Sequence, residues 1–245
     1  MRLLKKHAII TGGSKGLGKA LALRFANEGA FVAICSRNQA ELDEVKREIV
    51  AASPDVQVIA RECNIADPDQ VESFVQTVLQ EFGTVDVLIN NAGILGARVP
   101  VAEYPSEEWE WVIQTNLNGN FYMSRLVIPG MMKQRSGAII NVNSTVGKTG
   151  RSKWGAYAAS NFAIEGLSQV LAEELRPHNI TVNSVNPGSI ATDLRRQAYP
   201  NEDQSMLRKP EDVTEVFVYL ASYHGTGITG QWFDAANYYA PKEMK

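Results

Sequence analysis

Cysteine is nearly absent: Cys35 and Cys63 are the only two in 245 residues. Each stands near the end of a β-like run. A small buried hydrophobe in a reducing compartment is expected there, not a disulfide. His7, His178 and His224 are scattered without ligand spacing, so no metal site is expected. No apolar run approaches the ~20 residues of a membrane-spanning helix. The opening residues MRLLKKHAIIT pass straight into a strand-like segment. Their apolar stretch is too short for a signal peptide and no small-residue cleavage site follows, so a cytoplasmic protein is the expectation. A net charge of −3 gives no electrostatic pull toward nucleic acid or an anionic membrane. Linkers, repeats and low-complexity tracts are missing too, which favours a single domain over residues 1–245.

What the chain does contain is alternation. Short apolar, β-branched runs fall at 7–11, 31–36, 56–63, 85–90, 138–143, 180–186 and 231–235. Helix-period stretches lie between them at 16–27, 39–52, 67–82, 107–135, 156–175 and 210–221. The first carries Leu17, Leu21 and Phe25 on one face and stops at Gly29. The third opens on Asp67 and Pro68, a cap followed by a first-turn residue. The fourth reads as one long helix interrupted at Pro129 and Gly130. Strands that are apolar on both faces, separated by helices, predict a doubly wound α/β fold with about seven parallel strands. Such a sheet holds its ligand at the carboxyl ends of the strands, where the strand order reverses.

The first strand ends in Thr11-Gly12-Gly13-Ser14-Lys15-Gly16-Leu17-Gly18, and a helix follows. Glycines let the backbone turn tightly beside a pyrophosphate, and the helix start offers it unpaired N–H groups. Asn90-Asn91-Ala92-Gly93 follows the fourth strand. Asn116 sits in QTNLNG, and Ser144 sits in NVNSTVG after the fifth strand. Tyr157 opens YAASN, and Pro187-Gly188 precede Ile190 and Thr192 after the sixth strand.

Over about residues 5–235 these motifs, in this order, resemble the short-chain dehydrogenase/reductase family. The nearest general match is the 3-oxoacyl-carrier-protein reductase type. The resemblance implies a Rossmann fold and a nicotinamide cofactor. It implies that Gly12, Ser14, Lys15, Gly16, Leu17, Gly18, Asn91, Ala92, Gly93, Tyr157, Asn161, Pro187, Gly188, Ile190 and Thr192 line the cofactor site. Asn64 would bond the adenine amine, with Ile65 packing beside it. Tyr157 would be the acid for carbonyl reduction or the base for alcohol oxidation. Ser144 would hydrogen-bond the substrate oxygen, and Asn116 would hold a water in a proton relay. Relatives usually pair through helices corresponding to 107–135 and 156–175, which implies a homodimer or homotetramer. The stretch 231–239 is a candidate second interface.

The second strand ends in Ser36-Arg37 in place of the acidic residue that binds a free ribose diol. A guanidinium fork suits a 2′-phosphate, and Ser14 and Lys15 offer a hydroxyl and a second cation. NADP(H) is therefore expected over NAD. The departure from the family is Asn161, where relatives carry a lysine four residues after Tyr157 on the same helix face. An amide can still bond the nicotinamide ribose. It cannot supply a unit charge, worth roughly 3 kcal/mol or about two pKa units at about 5 Å and an effective dielectric of about 20. Lys148, Arg151 and Lys153 precede the helix and lie off its Tyr157 face. Two readings remain open: a reductase with impaired catalysis, or a non-catalytic dinucleotide-binding protein. Specificity for a small carbonyl or alcohol substrate is assigned to the loop 193–209. Arg195 and Arg196 there could meet an acidic or phosphorylated substrate, with simple solvation the preferred reading, and Trp154 is a candidate for either pocket wall or packing.

Overall fold

The computed structural model describes residues 1–238. Its strands are β1 (His7–Thr11), β2 (Phe31–Ser36), β3 (Val58–Glu62), β4 (Val87–Asn90), β5 (Gly137–Val142), β6 (Ile180–Asn186) and β7 (Trp232–Asp234). They form one parallel sheet in the order β3-β2-β1-β4-β5-β6-β7. The helices are α1 (Gly16–Asn27), α2 (Gln39–Ala52), α3 (Pro68–Phe82), α4 (Ser106–Ile113), α5 (Gly119–Gln134), α6 (Gly155–Leu175), α7 (Asp193–Ala198) and α8 (Glu215–Ala221).

Successive strand residues feed opposite faces of the sheet, as the pleat requires. Ile10, Ile89 and Ile140 join a core with Leu21 and Phe25 of α1, Leu42 and Ile49 of α2, and Phe217 of α8. Ile9, Leu88 and Ile139 join the other core, with Phe74 and Val78 of α3, Met123 and Val127 of α5, and Leu171 of α6. This two-sided burial explains why the strands read as continuous apolar runs.

Local signals end the helices where the sequence places them. The Asp67 carboxylate accepts from the backbone N–H groups of Asp69 and Gln70 at 3.0 and 3.2 Å, with Pro68 in the first turn of α3. Gly29 takes a positive φ of 86° just after α1, a left-handed turn that glycine adopts without penalty.

Three expectations need correction. The stretch 107–135 is not one helix broken at Pro129. Pro129 lies inside α5, and the interruption is a π-helical turn at Gln114–Asn118. An extra residue in one turn widens the helix locally, and here that turn carries Asn116. The stretch 210–221 divides into a 3₁₀ turn at Pro210–Val213 and α8. The loop 193–209 contains a helix, α7, started by Thr192, whose hydroxyl accepts from the backbone N–H of Arg195 at 3.2 Å. Of the stretch 231–239, Tyr239 lies outside the described residues.

Candidate active site

Strand order reverses between β1 and β4, and a cleft of about 700 Å³ opens at their carboxyl ends. Thr11, the last residue of β1, ties the two edges together. Its side-chain oxygen accepts from the backbone N–H groups of Asn91 and Ala92 at 2.9 and 3.0 Å. Asn91 Nδ2 donates back to the Thr11 carbonyl at 2.8 Å. The glycine turn is thereby fixed against the loop after β4. Gly12 has φ 67°, and a Cβ there would sit 3.0 Å from the Ala92 backbone.

Gly12, Ser14, Lys15, Gly16 and Leu17 all line this cleft, as do Ser36, Arg37, Asn64 and Ile65. So do Asn91, Ala92, Gly93, Asn116, Ser144, Tyr157, Asn161, Pro187, Gly188, Ile190 and Thr192. Gly18 is the exception. It packs against the turn from behind, where a Cβ would lie 2.1 Å from the Gly12 carbonyl oxygen. Its contribution is close approach of α1 to the turn.

Two sequence-assigned phosphate partners are already engaged. The Ser14 hydroxyl donates to Glu41 Oε2 at 2.8 Å, and Lys15 Nζ pairs with Asp193 at 3.2 Å. Arg37 is exposed and lies over the Trp111 ring, 5.6 Å from its centroid. Asn64 Oδ1 closes a local turn by accepting from the Ala66 N–H at 3.2 Å, and its second lone pair stays available.

At the other end, Ser144 starts a 3₁₀ turn over Thr145–Gly147. This turn is fastened to α6. Asn143 Nδ2 donates to the Asn161 backbone carbonyl at 3.2 Å, and the Ser144 N–H donates to Asn143 Oδ1 at 2.8 Å. Asn116 is 3% exposed and hydrogen-bonded at both side-chain polar atoms. Its Oδ1 accepts from the Ile94 N–H at 2.8 Å, and its Nδ2 donates to the Ile94 carbonyl at 2.9 Å and to Ser160 Oγ at 3.1 Å. The Asn116 side chain therefore braces the loop after β4 against α6.

Asn161 is 4% exposed, and its Nδ2 donates to the Tyr157 backbone carbonyl at 2.7 Å. Burial pushes the Tyr157 phenol above its ordinary value, opposed in part by hydrogen bonding with the Asn161 and Ser144 side chains. Lys148 Nζ is held over the Trp232 ring, 4.2 Å from its centroid.

α7 borders the Tyr157 end of the cleft. Trp154 is buried, lies tilted against Tyr157 with ring centroids 5.7 Å apart, and packs with Leu95, Val146, Leu194, Ala198 and Tyr199. Arg195 is not simply solvated. It pairs with Glu202 through Nε and Nη2, both at 2.6 Å, and lies over Tyr199. Sequence reasoning missed Glu41, Asn143 and Arg98. Asn143 directly precedes Ser144 within a recognised motif, so adjacency was its signal. Glu41 and Arg98 carried none, because their partners are distant in sequence.

The family model for short chain dehydrogenases matches residues 6–203. The chain belongs to this family. It is 38% identical to the 3-oxoacyl-(acyl-carrier-protein) reductase of Thermotoga maritima over 239 residues, covering 94% of this chain and 96% of that one. A short chain dehydrogenase from Pseudomonas syringae superposes with a TM-score of 0.90 at 38% identity, covering 96% of each chain. One from Shigella flexneri, complexed with NADP, gives 0.89 at 32% identity over 96% of this chain and 99% of that one. As a short-chain dehydrogenase, the chain is an oxidoreductase by family, and its seven-stranded parallel sheet is that of its structural neighbours. Among the described residues no helix is long and apolar enough to cross a membrane, and no group of histidine, cysteine, aspartate or glutamate side chains is arranged to hold a metal.

Proposed function

We propose that this short-chain dehydrogenase is an NADP(H)-dependent oxidoreductase. It moves a hydride between the nicotinamide and a carbonyl or alcohol, with turnover weakened by Asn161. The observation that carries this reading is the continuity of one cleft, from the glycine turn at Gly12 to Ser144 and Tyr157. The cleft suits a dinucleotide. No side chain caps the start of α1, which leaves its first N–H groups facing the turn. The NADP carried by the Shigella neighbour and the Ser36-Arg37 pair both favour the phosphorylated cofactor.

When bound, the reduced cofactor supplies the hydride. The chain's own residues manage the substrate oxygen. The Ser144 hydroxyl hydrogen-bonds that oxygen, and the Tyr157 hydroxyl donates its proton as negative charge develops there. Trp154 and α7 keep water from this end of the cleft. Asn116 holds the floor of the site rigid through Ile94 and Ser160. The name of the Thermotoga relative makes a 3-oxoacyl thioester the first substrate to try. Exposed Trp111, Phe121, Phe162 and Val170 on α4, α5 and α6 support assembly as a homodimer or homotetramer.

A second reading, a dinucleotide-binding protein without turnover, is favoured by one observation. The residue-161 side chain reaches Tyr157 only as a hydrogen-bonding amide and carries no charge. Steady NADPH oxidation with a carbonyl panel separates the two readings. Oxidation that Tyr157→Phe abolishes supports the reductase, and its absence for every carbonyl supports the binder. In a fluorescence titration NADPH should bind more tightly than NADH; equal affinities would refute the cofactor assignment.

A further inference from the structure

Glu41 is a carboxylate inside the cleft at its Ser36-Arg37 end. It occupies the first turn of α2, where its N–H donates to the capping side chain of Asn38 at 3.3 Å. Its Oε2 accepts the Ser14 hydroxyl at 2.8 Å. Ser14, Ser36, Arg37, Asn38 and Glu41 together bound this end of the cleft. One carboxylate and one guanidinium therefore both border this end of the cleft. A phosphate dianion entering there gains from Arg37 and is opposed by Glu41. It also finds the Ser14 proton already given to the carboxylate. An unphosphorylated ribose carries no charge for Glu41 to repel, and its hydroxyl can donate to a carboxylate.

We propose that Glu41 is a specificity-determining residue that opposes the 2′-phosphate. The NADPH preference conferred by Arg37 is thereby held smaller than the cleft could reach, and usable NADH affinity is retained. This rests on the reading of the cleft as a nicotinamide dinucleotide site. The isosteric substitution Glu41→Gln keeps the shape and a hydrogen-bonding oxygen for Ser14 and removes only the charge. Coulomb repulsion in a partly exposed site predicts that the gain is selective for the phosphorylated ligand.

The test is equilibrium fluorescence titration of the full chain, as wild type, Glu41→Gln, Glu41→Ala and Ser14→Ala, with NADPH and NADH. The fragments 2′,5′-ADP and AMP are used as competitors. Both Glu41 variants are expected to tighten NADPH and 2′,5′-ADP about tenfold at low salt, with NADH and AMP changed less than about twofold. Ser14→Ala should not tighten NADPH, because the opposing charge remains. The gain should shrink at high salt. Weaker NADPH binding in Glu41→Gln, or an equal change for both cofactors, overturns the proposal while leaving the dinucleotide site intact. If none of the four proteins binds either cofactor, the reading of the cleft fails with it.

Discussion

The Asn161 side-chain amide donates to the backbone carbonyl of Tyr157 at 2.7 Å, one helical turn back. The amide also hydrogen-bonds the phenol, but being neutral it places no charge beside it. Burial pushes Tyr157 upward, and no cation acts against it. A positive charge favours the phenolate and lowers its pKa. Asn161→Lys is therefore expected to move the ascending limb of the alcohol-oxidation pH–rate profile down by about two units. Turnover at neutral pH should rise on the order of tenfold or more. The pH dependence of kcat in both proteins checks this, and coincident profiles would remove the charge argument.

Tyr157 and Ser144 separate by the step each touches. Tyr157→Phe should remove turnover, with a loss on the order of 10²–10⁴. Ser144→Ala should lower kcat on the order of 10²-fold by removing a donor to the developing oxyanion. Neither should change the NADPH Kd more than about twofold, since neither hydroxyl makes the phosphate contacts. A titration beside the kinetics checks both, and parallel loss of binding would place the two side chains in a structural role.

The motifs revealed the strands, the glycine turn and the positions that meet in the cleft, because those depend on local pattern and on strand ends. They did not reveal what each polar group does once packed. Asn116 was legible as a site residue, but its bracing of Ile94 and Ser160 depends on a π-helical turn with no compositional signature. Ser14 and Lys15 were legible as phosphate partners. Their pairing with Glu41 and Asp193 joins the glycine turn to α2 and α7, contacts between elements that periodicity cannot register.

Gly18 and Gly130 should respond oppositely to the same substitution. A Cβ at Gly18 would meet the Gly12 carbonyl oxygen at 2.1 Å and Asn91 Nδ2 at 2.6 Å. Gly18→Ala must displace the turn, at a cost of about 1–3 kcal/mol, with weakened NADPH binding. Gly130 is exposed on α5 with nothing within 4 Å of its would-be Cβ. Gly130→Ala should stabilise by about 0.5–1 kcal/mol through helix propensity. Denaturant unfolding of the two variants, with an NADPH titration, decides it.

Arg98 fastens the end of α7. Its guanidinium lies 4.6 Å from the Trp154 ring centroid and 5.0 Å from that of Tyr199, and it donates to the Ala198 carbonyl at the end of α7. Arg98→Ala removes both stacks and the hydrogen bond. KM for a carbonyl substrate should rise more than kcat falls, and amide exchange should accelerate across 193–199. Arg98→Lys keeps the charge but loses the planar fork, so an intermediate effect is expected. Unchanged exchange in Arg98→Ala would show that α7 is held without this residue.

Acid should loosen the fold first where the chain begins. Arg2 donates to Glu28 at 2.8 Å and to Glu215 at 2.5 Å, and Arg24 reaches both carboxylates at 3.0 Å. This four-residue network joins the N-terminal segment to α1 and α8. Burial alone would raise the Glu28 carboxyl, but the hydrogen bonds from Arg2 and the Arg24 charge together hold it at about 2, below its ordinary value of 4.5. A depressed carboxylate stabilises the fold above its unfolded pKa, and that contribution fades as pH falls through the folded one. The window is therefore about pH 4.5 down to about 2. Glu28→Gln is expected to cost about 1–3 kcal/mol at pH 7, and the gap from wild type should close across that window. Urea unfolding of both proteins at pH 7, 4 and 3 measures it. A gap that stays constant with pH would mean that Glu28 contributes by shape and hydrogen bonding without its charge.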